Sequence, residues 1–328
     1  MKNKRIVIAG GAGFIGQQLV RYFGKDNHIV VLSRQSANTH NNAYTKDILL
    51  PSQGYNVTYR RWDGLHVEKH WAAELEGADI VINLAGKSVN CRYTEKNKKE
   101  IFDSRTNSTM AIGNAIRQCA VPPRLWINAA SATIYRHASD RPQDEYTGEY
   151  RNDFSVQVCK LWEQTFFDQP TPFTRKVALR MAITLSNGGV MTPYFNLLKF
   201  GLGGRQGSGK QMYSWVHVED ICRVIEWMHH RPDCEGVYNC ASPNPVTNEF
   251  FMKTLRQTTG HKIGLPATRP MLALGAKIIG TETELILKSR WVVPTRLLET
   301  GFKFQYAKLE DALGAIIHTT PREKYHLF

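Results

Sequence analysis

Carboxylates are scarce: 29 Asp and Glu face 42 Lys and Arg, so the 328-residue chain carries a formal net charge of +13 and a pI near 9.5. The cations form no block. Their densest runs, Lys96/Lys98/Lys99, Arg60/Arg61 and Lys2/Lys4/Arg5, are each interrupted or short. No basic arm of the nucleic-acid-binding kind is present, and the charge reads as a solvated basic surface or as attraction for an anionic ligand. The six cysteines (91, 119, 159, 222, 234 and 240) include no CxxC pair, and no histidine cluster has metal-ligand spacing. This excludes a zinc or redox centre and fits free thiols in a cytoplasmic protein. Long hydrophobic runs are missing too. The longest uncharged stretch, Met181–Leu198, contains Ser186, Asn187, Gly188, Gly189, Pro193 and Asn196 and cannot be a membrane helix. Repeats and low-complexity tracts are absent. With 42% hydrophobic and 10% aromatic residues, the chain is folded and long enough for about two domains or one large α/β domain with an appendage.

What is present is alternation. Apolar, β-branched runs at Arg5–Ala9, His28–Leu32, Val57–Trp62, Asp79–Leu84, Leu125–Ala129 and Val177–Ile183 read as buried strands. Helical periodicity separates most of them: Phe14–Phe23, Val67–Leu75, Thr94–Cys119 and Asp153–Phe167. Residues 35–56 are polar and poorly periodic, as in a loop or frayed crossover. The expected fold is α/β, a doubly wound parallel Rossmann sheet over residues 1–185, with a segment near 212–242 returning to it. Residues 186–328 are expected to form a smaller C-terminal substrate lobe, with helices at Val218–His229, Glu249–Thr258 and Met271–Ile279 and a short strand near Val237–Cys240. The glycine-rich loop 186–210 is a candidate lid.

The strongest signal is Gly10-Gly11-Ala12-Gly13-Phe14-Ile15-Gly16, directly after the first strand and opening the first helix. Glycines there allow a tight turn, close backbone approach to a pyrophosphate and close helix packing, while the free N–H groups of the helix start hold the anion. Before it, Lys2, Lys4 and Arg5 followed by an apolar run imitate a leader peptide; the glycine spacing argues otherwise. The second strand ends Ser33-Arg34-Gln35-Ser36, with no acid to bind ribose hydroxyls. Arg34 suits a 2′-phosphate, which favours NADP(H) over NAD(H), or it is a surface arginine. Gly204–Gln211 imitates a P-loop but has Gln211 where a Mg²⁺-binding hydroxyl belongs.

Together these residues resemble the extended short-chain dehydrogenase/reductases, the group of the nucleotide-sugar epimerases and dehydratases, over nearly the whole chain. The opening IAGGAGFIG resembles their cofactor loop, with Gly10, Gly13, Phe14, Ile15 and Gly16 against the dinucleotide. Asn83-Leu84-Ala85-Gly86 resembles their NxAG motif, so Leu84, Ala85 and Gly86 would line the cofactor. Asp63 matches an adenine-binding aspartate or is an ordinary turn residue. Ala130–Tyr135 is similar to the SSATVYG-type segment, which implies that Ser131 touches the reacting oxygen. Ser214–Asp220 resembles the FVHVDD segment. Ser104-Arg105 with Ser108-Thr109, Val158–Glu163, Gly201–Gly204 and Pro294–Phe302 are similar to an atypical subgroup of unknown substrate, the cell-division-inhibitor-like epimerases, with its own short C-terminal domain, here about 265–320.

The chain departs from that superfamily in one respect. Its chemistry rests on Tyr-x-x-x-Lys, one helical turn apart, in which the lysine lowers the tyrosine pKa and holds the ribose. None of the 13 tyrosines has a lysine four residues later. On the helix where the pair belongs, Lys160 stands four after Val156, and Cys159 four after Ser155. Three readings follow: an enzyme using another acid or base (Ser131, Tyr135, Lys87 or Cys159), a catalytically impaired NADP(H)-binding sensor or scaffold, or a protein that binds a partner through its basic surface. Ser131 and Tyr135 are the catalytic candidates, with no metal. Each candidate also has a plain structural reading: Ser131 as a cap, Tyr135 as packing, Cys159 as an inert thiol, and Lys87 as a surface cation. His217 is expected to donate a bond tying its loop to the sheet, Trp162 and Trp215 to be core, and Arg180 to orient an anionic substrate or bridge the lobes. The expected partner is a small molecule, a nucleotide sugar or small carbonyl compound. Nucleic acid and membrane are disfavoured, and a homodimer is left open.

Overall fold

β1 (Arg5–Ala9) carries four fully buried residues in succession, Ile6 to Ala9. A run without polar alternation suits a strand covered on both faces. β2 (His28–Ser33) and β4 (Ile80–Asn83) flank it, both parallel to it. β3 (Val57–Arg61) extends the sheet beyond β2. On the other side follow β5 (Leu125–Ser131) and β6 (Arg175–Met181), and, from late in the chain, β10 (Gly236–Cys240). The result is a seven-stranded parallel sheet of order β10-β6-β5-β4-β1-β2-β3, a Rossmann-like α/β fold. The structure is a computed structural model and describes residues 1–34, 54–268, 270–272 and 288–327. Most of the polar segment 35–56 and of the helix expected at Met271–Ile279 lies outside the described residues.

Apolar faces of α1 (Phe14–Phe23), α3 (Glu95–Ile116), α4 (Phe154–Phe167) and α6 (Val218–His230) supply the two layers that cover the sheet, with short α2 (Lys69–Ala72). Helix starts follow side-chain chemistry: the Thr94 and Asp153 side chains accept from the backbone N–H of Asn97 and Val156, satisfying groups the helix leaves open. A third core, around Met191, Phe195, Trp215, Phe251, Leu255 and Leu313, organises the remainder. It gathers α5 (Met191–Lys199), α7 (Asn248–Thr258) and the last long helix (Leu309–His318), with a short helix at Thr295–Glu299 before it. Among the described residues no helix is long and apolar enough to cross a membrane.

Three details differ from the sequence expectation. The sixth strand ends at Met181, and Ile183–Leu185 (β7) instead pairs in parallel with Trp215–His217 (β9). Met212–Tyr213 (β8) pairs antiparallel with Val246–Thr247 (β11), so within 212–242 it is Gly236–Cys240 that joins the main sheet. The glycine-rich stretch 186–210 contains α5, whose Met191, Phe195 and Leu198 are buried. Its middle is therefore packed core rather than a free loop.

Candidate dinucleotide site at the switch point

The chain runs from β1 to β2 and β3 on one side, then crosses to β4 on the other. The crevice above the carboxyl ends of β1 and β4 is thus the topological switch point, where open α/β sheets bind ligands. The glycine loop sits there. Gly10 has φ +75°, and a Cβ on it would lie 3.0 Å from the backbone of Leu84 and Ala85. A Cβ on Gly16 would stand 2.4 Å from Gly11 Cα, so only glycine lets the helix approach its own loop this closely. Gly13 is exposed, caps α1 without a side-chain acceptor, and is followed by a first turn free of acids. The turn's N–H groups are left for an anion. Phe14 and Ile15 are half-buried. The Phe14 ring packs under Gly188 and Gly189, where a Cβ on Gly189 would come within 2.8 Å of it.

Asn83 explains why the second loop holds its shape. Fully buried, it donates from Nδ2 to Asn128 Oδ1 at 2.8 Å, and its Oδ1 accepts from the Ala85 N–H at 3.0 Å. Leu84 and Ala85 are half-buried and Gly86 is exposed at the crevice. At the end of β2, Arg34 is exposed, and Arg61 stands opposite Ser33 in the β2–β3 register. The sequence reading missed this second cation, because register is a tertiary fact. Asp63 serves its own turn: its carboxylate accepts from the N–H of Leu65 and His66 and pairs with the His66 ring.

Beyond the sheet end, Ser131 is the last residue of β5, half-buried, and its Oγ accepts from the Thr133 N–H at 3.2 Å. Tyr135 is 1% exposed. Its hydroxyl donates to Asn239 Oδ1 at 3.0 Å and accepts from Arg180 Nη1 at 2.8 Å. Burial pushes its pKa far up despite the neighbouring Arg180. Arg180 in turn forks onto Glu163 of α4 through two 2.7 Å bonds. This buried pair lies within the sheet domain, so Arg180 neither faces a substrate nor bridges the lobes. Its expected roles are replaced by a structural one.

Other candidates are placed as plainly. Cys159 is buried, and desolvation pushes its thiol up to about 12. Lys87 Nζ is tied to Asn97 and Glu100 of α3. His217 caps α6 by accepting the Glu219 N–H at Nδ1, the reverse of the expected donor role; burial lowers its pKa to about 4, which keeps the ring neutral. Trp215 is core. Trp162 is buried and donates Nε1 to Thr109 Oγ1. The P-loop look-alike is a loop with no strand before it. A basic cluster around His137 was not foreseen: Lys288 and Arg290 are over nine-tenths buried, and with Arg151 and Arg136 they lower the pKa of His137, behind burial as the main cause. Asp153 pairs with Lys288, and Asp140 and Glu149 with Arg136. Among the described residues no group of three or more His, Cys, Asp or Glu could hold a metal.

Comparison with known proteins decides the family. Residues 6–161 match the model of the NAD dependent epimerase/dehydratase family. An epimerase family protein of Staphylococcus saprophyticus is 32% identical over 319 residues, covering 96% of this chain and 100% of the relative. The chain belongs to the epimerase family.

A second epimerase family protein, YfhF of Bacillus subtilis, is 31% identical over 315 residues, 95% of this chain and 97% of its own. A solved structure of human epimerase family protein SDR39U1 (isoform 2) with NADPH superposes with a TM-score of 0.80 at 26% identity, over 96% of this chain and 99% of that one. Residues 268–316 match a domain of unknown function, DUF1731. This epimerase family member therefore has the NAD(P)-binding fold. The glycine cradle, the open start of α1 and the acid-free end of β2 fit a dinucleotide.

Proposed function

We propose that this protein is an NADP(H)-dependent oxidoreductase of the epimerase/dehydratase kind, acting on a small anionic substrate such as a nucleotide sugar. One observation carries the reading: the glycine loop closes on the NxAG turn at the switch point, while β2 runs into Arg34 with no acid and β3 ends beside it in Arg61. Gly10, Gly13, Phe14, Ile15 and Gly16 would hold the pyrophosphate. Ser33, Arg34 and the nearby Asp63 would frame the adenosine side, with Arg34 toward a 2′-phosphate. Leu84, Ala85 and Gly86 would line the other half. When bound, the dinucleotide supplies reversible hydride exchange with a carbon bearing a hydroxyl or carbonyl.

Ser131, at the carboxyl end of β5, is the residue assigned to hold the reacting oxygen. Tyr135 supports the site from beneath by fixing Arg180 and Asn239, since its hydroxyl is engaged on both sides. Of the cations around His137, exposed Arg151 suits a phosphate or carboxylate on the substrate. The structure of a UDP-N-acetylglucosamine 4-epimerase from Methanobrevibacter ruminantium in complex with UDP-N-acetylmuramic acid, with a TM-score of 0.75 at 18% identity over 97% of this chain and 98% of that chain, has the same fold.

The test is absorbance at 340 nm with NADPH or NADP⁺ and a panel of nucleotide sugars and small carbonyl compounds. Turnover that falls at least about tenfold in Ser131→Ala supports the assignment. A protein that binds NADPH but turns over nothing is the sensor or scaffold, a reading favoured by the missing Tyr-x-x-x-Lys pair.

A further inference from the structure

Two sequence motifs remain without a role, Ser104-Arg105 with Ser108-Thr109 on α3, and Val158–Glu163 on α4. The fold brings them together beneath the NxAG turn. Ser104 Oγ accepts from the Lys87 N–H at 2.8 Å, and Thr109 Oγ1 accepts from Trp162 Nε1 at 3.2 Å. Between them lies Arg105. Its guanidinium is 5.0 Å from the Trp162 ring, and a Cβ on Gly86 would sit 3.2 Å from its Cζ.

Half-buried Arg105 differs from Arg180 in its counter-charge. Arg180 forks onto Glu163, whereas among the described residues no carboxylate pairs with Arg105. Its Nη1 donates to the carbonyls of Lys87 and Ile101 at 3.0 Å each. Nε and Nη2 have no protein acceptor among the described residues, and neither is sealed from solvent. Burial lowers its pKa, and the groups that couple to it electrostatically are the Cys159 thiol and the Tyr93 hydroxyl. Partial burial of a cation carries a desolvation cost that polar or anionic partners offset. Two donors left open beside a cofactor-lining glycine point to a ligand.

Lys160 is exposed and lies 5.5 Å over the Tyr150 ring, while Ser155 and Cys159 face inward. In the register that pairs Cys159 with Ser155, the lysine's place is taken by an uncharged thiol next to Arg105.

We propose that Arg105, reaching across from α3, is the cation of this site and binds the hydroxyls of the nicotinamide-side ribose in place of the missing lysine. This rests on the NADP(H) reading above. A dinucleotide at the switch point spans both sides of β1. Arg34 and Arg61 serve the β2–β3 side, and Arg105, against Gly86, serves the β4 side.

The experiment is calorimetric titration of the full chain with NADPH and with adenosine 2′,5′-bisphosphate, which carries the adenosine end and no second ribose. Wild type binds both. Arg105→Gln, which can still donate to one backbone carbonyl, should bind NADPH at least about tenfold more weakly and the bisphosphate within about twofold of wild type. Arg105→Lys should restore most of the NADPH affinity. Unchanged NADPH affinity in folded Arg105→Gln, or equal weakening of both ligands, overturns the proposal. Should the variant fail to fold, phenylglyoxal labelling of wild type, read at Arg105 by mass spectrometry, decides. Protection by NADPH but not by the bisphosphate supports the role, and equal labelling under both refutes it. If wild type binds neither ligand, the cofactor reading falls as well.

Discussion

Arg180 Nη1 donates to the Tyr135 hydroxyl at 2.8 Å, and that hydroxyl donates onward to Asn239 Oδ1 at 3.0 Å. One phenol thus joins β6 to β10 from the segment after β5. Tyr135→Phe keeps the ring and its 5.7 Å stacking on Tyr150 but leaves a buried guanidinium N–H and an amide oxygen short of a partner. The expected loss is about 1–3 kcal/mol of unfolding free energy, measured by urea denaturation, with NADPH affinity unchanged.

Glu163→Ala is expected to be more damaging. It strands Arg180 as a buried charge, and breaking one side of such a pair costs about 3–5 kcal/mol. Replacing both residues with apolar ones should recover much of that loss, which a double-mutant cycle on the same denaturation curves would reveal.

Gly16→Ala should block the cofactor loop. The added methyl would lie 2.4 Å from Gly11 Cα and 2.6 Å from its carbonyl oxygen, neither of which is a flexible side chain. NADPH should raise the Tm of wild type and leave that of the folded variant unchanged. Gly314→Ala, where a Cβ meets nothing within 4 Å, is the matched control and should keep it.

His217 makes stability depend on pH. Desolvation lowers its folded pKa to about 4 from 6.5. Between those values the unfolded chain binds a proton that the folded chain refuses. The contribution is therefore complete above pH 6.5 and lost as pH falls toward 4, in total about 3 kcal/mol. His217→Asn, which can still cap α6, should flatten that part of the slope in urea midpoints taken at pH 7 and pH 5.

The main sheet was legible because buried parallel strands leave unbroken β-branched runs such as Arg5–Ala9 and Asp79–Leu84. The cofactor loop was legible because three glycines answer to contacts with nearby backbone. Partnerships between distant residues were not. Arg180 read equally as a substrate ligand or a link between the lobes until α4 placed Glu163 against it. Arg61 is one surface arginine among many until the β2–β3 register sets it opposite Ser33. Ser104-Arg105 was visible as a motif, but its use depends on α3 lying against α4 and the turn after β4.

The central claim is a site for a dinucleotide bearing a 2′-phosphate, and calorimetric dissociation constants of the full chain for NADPH and NADH test it most directly. NADPH should bind at least about tenfold more tightly than NADH, and Arg34→Ala should erase most of that difference. Equal affinity for the two, or binding of neither, would contradict the account.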